Sequence, residues 1–296
     1  MKGSYRLFGI SKALFSATLM VLLSGCTSLT SLYFYPQEVW IQTPANLGLE
    51  YEDVWLSAAD GTGLHAWWIP AQGSTSQGNQ VVLYLHGNAE NISSHVRSVA
   101  WMPEQGIDVL ALDYRGFGAS EGQAMMPSVL QDIEAAAAWI RQTYPAKELV
   151  VVGQSIGAAL AVNFVVEAGE RYQVQALVLE APFAGFPEIA RTALTSSWLG
   201  WIFVPATWLI PSDWDPQDKA AQIHIPTLMM HSKDDQVIPV QQGRKVFNKL
   251  SGEHCWLDTN GPHIASYLDE YNRLISQKFI ARQSCAALAL TRPQAP

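Results

Sequence analysis

Five short, almost unbroken apolar runs recur along the chain: Val81 to Leu85, Val109 to Leu112, Leu149 to Val152, Ala176 to Leu179 and Thr227 to Met230. A strand that is apolar at every position, not at alternate ones, has both faces covered, which is the condition of a parallel sheet enclosed by helices. Helix-length segments lie between most of the runs. From Pro127 to Gln142, for instance, Leu130, Ile133, Ala137 and Ile140 recur at the spacing of a helix with one apolar face. This alternation predicts an α/β fold with a mostly parallel central sheet and helices on both faces. Ahead of it, Tyr51 to Ser57 and Leu64 to Ile69 flank the turn signal Ala59-Asp60-Gly61 and predict an antiparallel hairpin. The Gly/Ser/Gln-rich stretch 72 to 80 reads as an exposed loop.

With 296 residues, 49% of them hydrophobic and 15% charged, the chain can bury a full core, which excludes disorder as its main state. Its 18 Lys plus Arg against 26 Asp plus Glu give a net charge of −8. That balance lacks the basic footprint of a nucleic-acid-binding protein. Cys26, Cys255 and Cys285 are too few and too scattered for a disulfide scaffold or a clustered zinc site.

The first 25 residues open with Lys2, Arg6 and Lys12, continue with an apolar stretch from Ala13 to Leu23, and end in small residues before a cysteine. This is the layout of an export signal, and its apolar core is about half the ~20 residues a spanning helix needs. The ending Leu23-Ser24-Gly25-Cys26 resembles the bacterial lipobox, which implies that Cys26 becomes the lipidated first residue of the mature chain. Removing three cations leaves 15 against 26 acids, a net of −11. Thr27 stands where an inner-membrane retention signal would place Asp, so the resemblance implies the bacterial cell envelope, at the outer membrane facing the periplasm. Residues 26–49 are expected to be a linker and 283–296 a tail. For Cys255 and Cys285, buried free thiols are the expectation. A bridge between them would close a loop of about 30 residues and stabilise by ~3 kcal/mol in the chain-entropy model.

Between Phe183 and Lys219 the alternation breaks, and the span is too long for an ordinary connection. It predicts a small helical cap at about 183–219. Trp198, Trp201, Trp208 and Trp214 are expected to pack within it, a substrate-facing apolar wall being the alternative.

The chemistry converges on Gly153-Gln154-Ser155-Ile156-Gly157, placed between a strand and a helix. A bare G-x-S-x-G arises by chance in about one chain in ten of this length. Its strand-to-helix context is what gives it weight, because that turn exposes the serine hydroxyl in front of a helix N-terminus. A serine needs a base, and the base needs an acid to orient it. His231 and His254 lie in strand-like runs, and His224 precedes a strand. His263, in the turn-rich "DTNGPHIAS", can be carried by a loop to the top of the sheet, with His254 the runner-up. For the acid, adjacent Asp234 and Asp235 follow a buried strand; the D-x-V-I-P spacing favours Asp235, leaving Asp234 as a helper or a solvated turn residue.

The order Ser155, Asp235, His263, together with "LYLHGNAEN" at 83–91 and "DYRGFGASEG" at 113–122, resembles the α/β-hydrolase superfamily over residues 50–282. Within it, the motifs are similar to the monoacylglycerol-lipase-like and protein-depalmitoylating serine hydrolases. The resemblance implies an oxyanion hole formed by the backbone N–H groups of Ile156 and Asn88. His86 reads as structural, and Arg115 and Ser120 as pins of a tight loop near the mouth of the site. Gly116, Gly118 and Gly122 miss the dinucleotide spacing, and no P-loop, H-E-x-x-H or cysteine cluster is present, so no cofactor or metal is implied.

The expected activity is that of a serine hydrolase acting on a small-molecule carboxylic ester or thioester with an apolar acyl group, palmitate-like, near a membrane. A peptidase or acyltransferase would use the same triad. A tethered, non-catalytic binding protein usually loses a triad member, and dehalogenase-type enzymes place Asp at the elbow, where this chain has Ser155.

Overall fold

The structure, a computed structural model, describes residues 29–72, 78–286 and 288. The predicted hairpin forms β1 (Glu52–Ser57) and β2 (Gly63–Ile69). The apolar runs become β3 (Gln80–Leu85), β4 (Asp108–Leu112), β5 (Glu148–Gln154), β6 (Val174–Glu180) and β7 (Thr227–Ser232), and β8 (His254–Thr259) completes the sheet. The eight strands lie in the order β8-β7-β6-β5-β3-β4-β2-β1, and only the pairings of β2 with β1 and with β4 are antiparallel. The chain is therefore an α/β-hydrolase fold.

Alternation within the strands feeds two cores. Val81, Leu83 and Leu85 face one side with helices α2 (Ser128–Thr143), α3 (Ile156–Ala168) and α6 (Val240–Phe247). Val82 and Tyr84 face the other with α1 (Ile92–His95) and α7 (Glu270–Arg282). Leu130, Ile133, Ala137 and Ile140 of α2 are all buried, as their spacing predicts. Each fully buried Val or Leu of such strands contributes about 2 kcal/mol. Strand β3 has β4 on one side and β5 on the other, so successive crossovers depart in opposite directions and open a crevice at the carboxyl ends of the strands.

The cap comprises α4 (Phe186–Thr195), a 3₁₀ stretch Gly200–Leu209 and the short α5 (Pro216–Lys219). Its tryptophans do not pack within it as expected. Trp198, Trp201 and Trp208 are exposed, and only Trp214 packs against the core, because the 3₁₀ stretch covers the protein with its small residues, burying Gly200 and Thr207.

Residues 29–49, expected as a linker, are packed on the body. Phe34 is buried, Tyr35–Pro36 pair in parallel with Ala89–Glu90, and the Asn91 amide donates to the carbonyls of Gln37 and Val39. The cysteine expectation is also corrected: Cys255 and Cys285 form a disulfide. Cys255 lies on the edge strand β8, and the chain leaving α7 turns back beside it, bringing the two Cα atoms to 5.8 Å. Cys26 lies outside the described residues.

Candidate active site

Loops at the carboxyl ends of β3, β5, β7 and β8 converge on the crevice. The sharpest turn follows β5, where Ser155 adopts φ +57° and ψ −120°, a region costly for a residue with a Cβ. Two glycines permit the turn. A Cβ on Gly153 would lie 2.4 Å from the Gly157 carbonyl oxygen, and one on Gly157 would lie 2.1 Å from that of Leu85. Helix α3 can thus begin directly on the sheet, its positive end at Ser155.

His263 reaches this serine from the loop after β8. Its Nδ1–H donates to Asp235 Oδ2 at 2.7 Å, which leaves Nε2 to accept from the Ser155 hydroxyl at 2.9 Å. Asp235 Oδ1 accepts the N–H groups of Val237 and Ile238 at 2.8 and 2.9 Å, and His231 Nε2 lies 3.5 Å from Oδ2. Burial pushes the Asp235 carboxyl up, but its contacts with His231, His263 and the Ile238 N–H prevail and hold it well below the usual carboxylate range. It is therefore an anion next to the imidazole at neutral pH.

The remaining histidines and the second aspartate have other partners. His254, at the far end of β8, contacts the Gly252 carbonyl, and His231 donates to that of Ile238. Asp234 does not reach His263; its Oδ2 accepts the Gly261 N–H at 3.2 Å and so fastens the loop that carries the imidazole.

As the first residue of α3, Ile156 has an N–H that the helix leaves unbonded. The Asn88 N–H likewise has no acceptor among the described residues. Asn88 is held by Tyr35, whose N–H donates to its carbonyl at 3.3 Å and its Oδ1 at 3.2 Å. Ser155, Ile156, Asn88, His95, Phe183 and Val237 are among the walls of a cavity of about 290 Å³. His86 stands behind it, Nδ1–H donating to Gly87 O at 2.7 Å, its ring stacked on His95 at 5.3 Å. Burial, then the neighbouring His86, push the His95 imidazole down to about 4, so it faces the cavity neutral, with Nε2–H on the Ala89 carbonyl.

Arg115 and Ser120 do pin their loop, but not at the mouth of the site. Arg115 pairs with Asp132 at 2.7 Å and Asp60 at 2.8 Å, and Ser120 bridges Asp113 O and His65 N. Neither lines the cavity, because the loop after β4 folds toward the β1–β2 hairpin.

Sequence reasoning missed a buried network beneath the elbow. Glu180, the last residue of β6, accepts Ser155 N–H on its carbonyl at 2.9 Å, Gln154 Nε2–H on one carboxylate oxygen and Ser266 N–H on the other at 2.8 Å. Tyr84 donates to Gln154 from below. The available signal was an acid closing the apolar run "ALVLE" at the carboxyl end of a buried strand.

Comparisons with known proteins agree with this fold. The Hydrolase_4 family model, described as serine aminopeptidase, S33, matches residues 76–213. The chain is 31% identical over 281 residues to the uncharacterized protein YfhR of Salmonella typhi, covering 90% of this chain and 91% of that protein. It is 27% identical over 240 residues to the lysophosphatidylserine lipase ABHD12 of Mus musculus, covering 75% of this chain and 60% of that one. Among solved structures, the Pyrococcus furiosus esterase Pf2001 superposes with a TM-score of 0.69 at 22% identity, covering 84% of this chain and 98% of that one.

Proposed function

The chain belongs to the α/β-hydrolase superfamily, and from that membership we propose that it is a serine hydrolase cleaving carboxylic esters or thioesters through an acyl-enzyme. The hydrogen-bonded series Asp235, His263, Ser155, at 2.7 and 2.9 Å, is the observation that carries the reading. Ser155 Oγ attacks the acyl carbon while His263 Nε2 takes its proton, and Asp235 stabilises the resulting imidazolium. The N–H groups of Ile156 and Asn88 hold the oxyanion, each such donor being worth about 3 kcal/mol in a comparable site. His263 then protonates the departing alcohol or thiol. Water, deprotonated by the same nitrogen, attacks the acyl carbon and frees Ser155.

A peptidase reading is favoured by the description of the matching family model. An aminopeptidase must hold an α-ammonium group, and no acidic side chain is among the described residues lining the cavity. Apolar walls such as Phe183, Ile189 and Val237 suit an acyl chain instead, as in the monoacylglycerol-lipase-like and depalmitoylating subgroup. An acyltransferase would share the first half-reaction, and a tethered binding protein would have no use for an intact triad.

The same reading places the mature protein, from Cys26, as a lipid-anchored enzyme of the bacterial envelope, at the outer membrane facing the periplasm. The Cys255–Cys285 bridge suits an oxidising compartment. Cys26→Ala should release the protein from membranes after export. A fluorophosphonate probe should label the parent and not Ser155→Ala; a folded parent that hydrolyses esters without labelling would overturn the mechanism.

A further inference from the structure

From Thr192 to Ser212 the cap carries no charged side chain. Within it Trp198, Leu199, Trp201, Ile202, Phe203 and Trp208 are 53% to 82% exposed. Isolated apolar side chains in water are ordinary, but these six, with Leu209 at 67% a seventh, within one uncharged stretch mark a contact surface. Tryptophan, with an apolar body and one N–H, is the residue suited to the boundary between lipid headgroups and acyl chains. We propose that this face of the cap docks on a lipid bilayer, seating its indoles at headgroup level beside the entrance to the Ser155 cavity.

The path of the chain selects lipid as the occupant. Leu29 and Leu32 line an apolar groove of about 500 Å³ together with Phe203 and Leu209 of the cap. The chain therefore enters the body next to the exposed face. Cys26 is three residues earlier, at most about 10 Å of extended chain, and the apolar run Ala13 to Leu23 immediately precedes it. Whether a lipidated Cys26 or a retained leader holds the N-terminus, it holds it on this side. Among the described residues no helix is long and apolar enough to cross a membrane.

The groove also shares Tyr33, Asn88 and Ile189 with the cavity of Ser155. It offers an acyl chain an apolar route from the docked face to the nucleophile, a consequence that rests on the hydrolase reading. The docking itself does not. Because the face is uncharged and the body acidic, attachment comes from apolar insertion and not from anionic headgroups.

The test uses the full chain with vesicles of phosphatidylcholine brominated on the acyl chains, which quench only inserted indoles. Residues 1–28 contain no tryptophan, and the three exposed cap indoles are three of eleven. About a quarter of the parent's emission should be quenched, at low salt and at ~1 M salt alike, with or without anionic lipid. Trp198→Phe, Trp201→Phe and Trp208→Phe combined should lose that quenching with an unchanged melting curve, even if the N-terminus keeps it on the vesicle. An unquenched parent would overturn the proposal. So would quenching confined to anionic vesicles at low salt, or a lipid-free dimer whose indoles stay shielded when vesicles are added. Fluorophosphonate labelling of the same samples separates the two readings: loss of labelling leaves docking intact, and loss of quenching leaves the hydrolase intact.

Discussion

The carboxylate of Glu180 accepts the backbone N–H of Ser266 at 2.8 Å, although 86 residues separate them in sequence. Because Ser155 N–H donates to the carbonyl of the same glutamate, one buried residue ties the serine turn to the loop carrying His263.

Glu180→Ala would leave the N–H of Ser266 and the amide of Gln154 buried without acceptors, a loss of about 1–3 kcal/mol. Its catalytic effect comes through position. Steady-state kinetics should show kcat down by roughly tenfold to a hundredfold with KM little changed. Glu180→Gln, which keeps one oxygen for Ser266, should recover part of it.

Asp235→Asn removes the anion that selects the His263 tautomer, and kcat should fall by about 10⁴-fold. The same group shapes acid stability. Its folded pKa lies below the unfolded value of about 3.9, so its stabilisation is complete above about pH 4 and is lost as the pH falls further. Urea midpoints measured from about pH 5 down to 3 should drop more steeply for the parent than for the Asn variant.

Asp215 works in the opposite direction. Its carboxyl caps Phe186 N–H at 2.8 Å, joining the end of the cap to its start, and burial pushes it up to about 7. Between about pH 4 and 7 the folded chain holds a proton that the unfolded chain has released, so this group lowers stability as the pH rises through that window. Asp215→Asn keeps an acceptor for Phe186 and abolishes the titration. The parent should lose more stability than the variant on going from about pH 5 to 8, read from urea melts.

Replacing Cys255 and Cys285 by Ala opens a loop with a sequence separation of 30, at a cost of about 3 kcal/mol in the chain-entropy model. A thermal melt should fall by roughly 6–12 °C. Ester hydrolysis at room temperature should persist, since neither cysteine lines the Ser155 cavity.

What the sequence made legible was local. Buried strands announce themselves as unbroken apolar runs, and the Ser155 turn needs its glycines within two residues on either side. His263 could be singled out because a turn-rich segment between strand and helix can lift a ring above a sheet, and Asp235 by its spacing from Pro239. The structure brings His263 within hydrogen-bonding reach of both Ser155 and Asp235. What stayed hidden depends on distant packing. The bridge requires the tail beyond α7 to return to the edge strand, and nothing in the spacing of Cys255 and Cys285 encodes that return. Glu180 looks like the polar end of a strand until Ser266 arrives above it. The cap tryptophans misled because an indole in a cap is ordinarily assigned to its interior, while here Gly200 and Thr207 occupy the buried positions.

The pairing of Tyr35 with Asn88 sets a practical boundary for anyone shortening the gene. Cutting at residue 50, where the sheet begins, would strip the backbone partner from the loop proposed to supply one oxyanion donor, remove Tyr33 from beneath the cap and take the buried Phe34 out of the core. A soluble version intended for crystals or assays should start no later than Leu29.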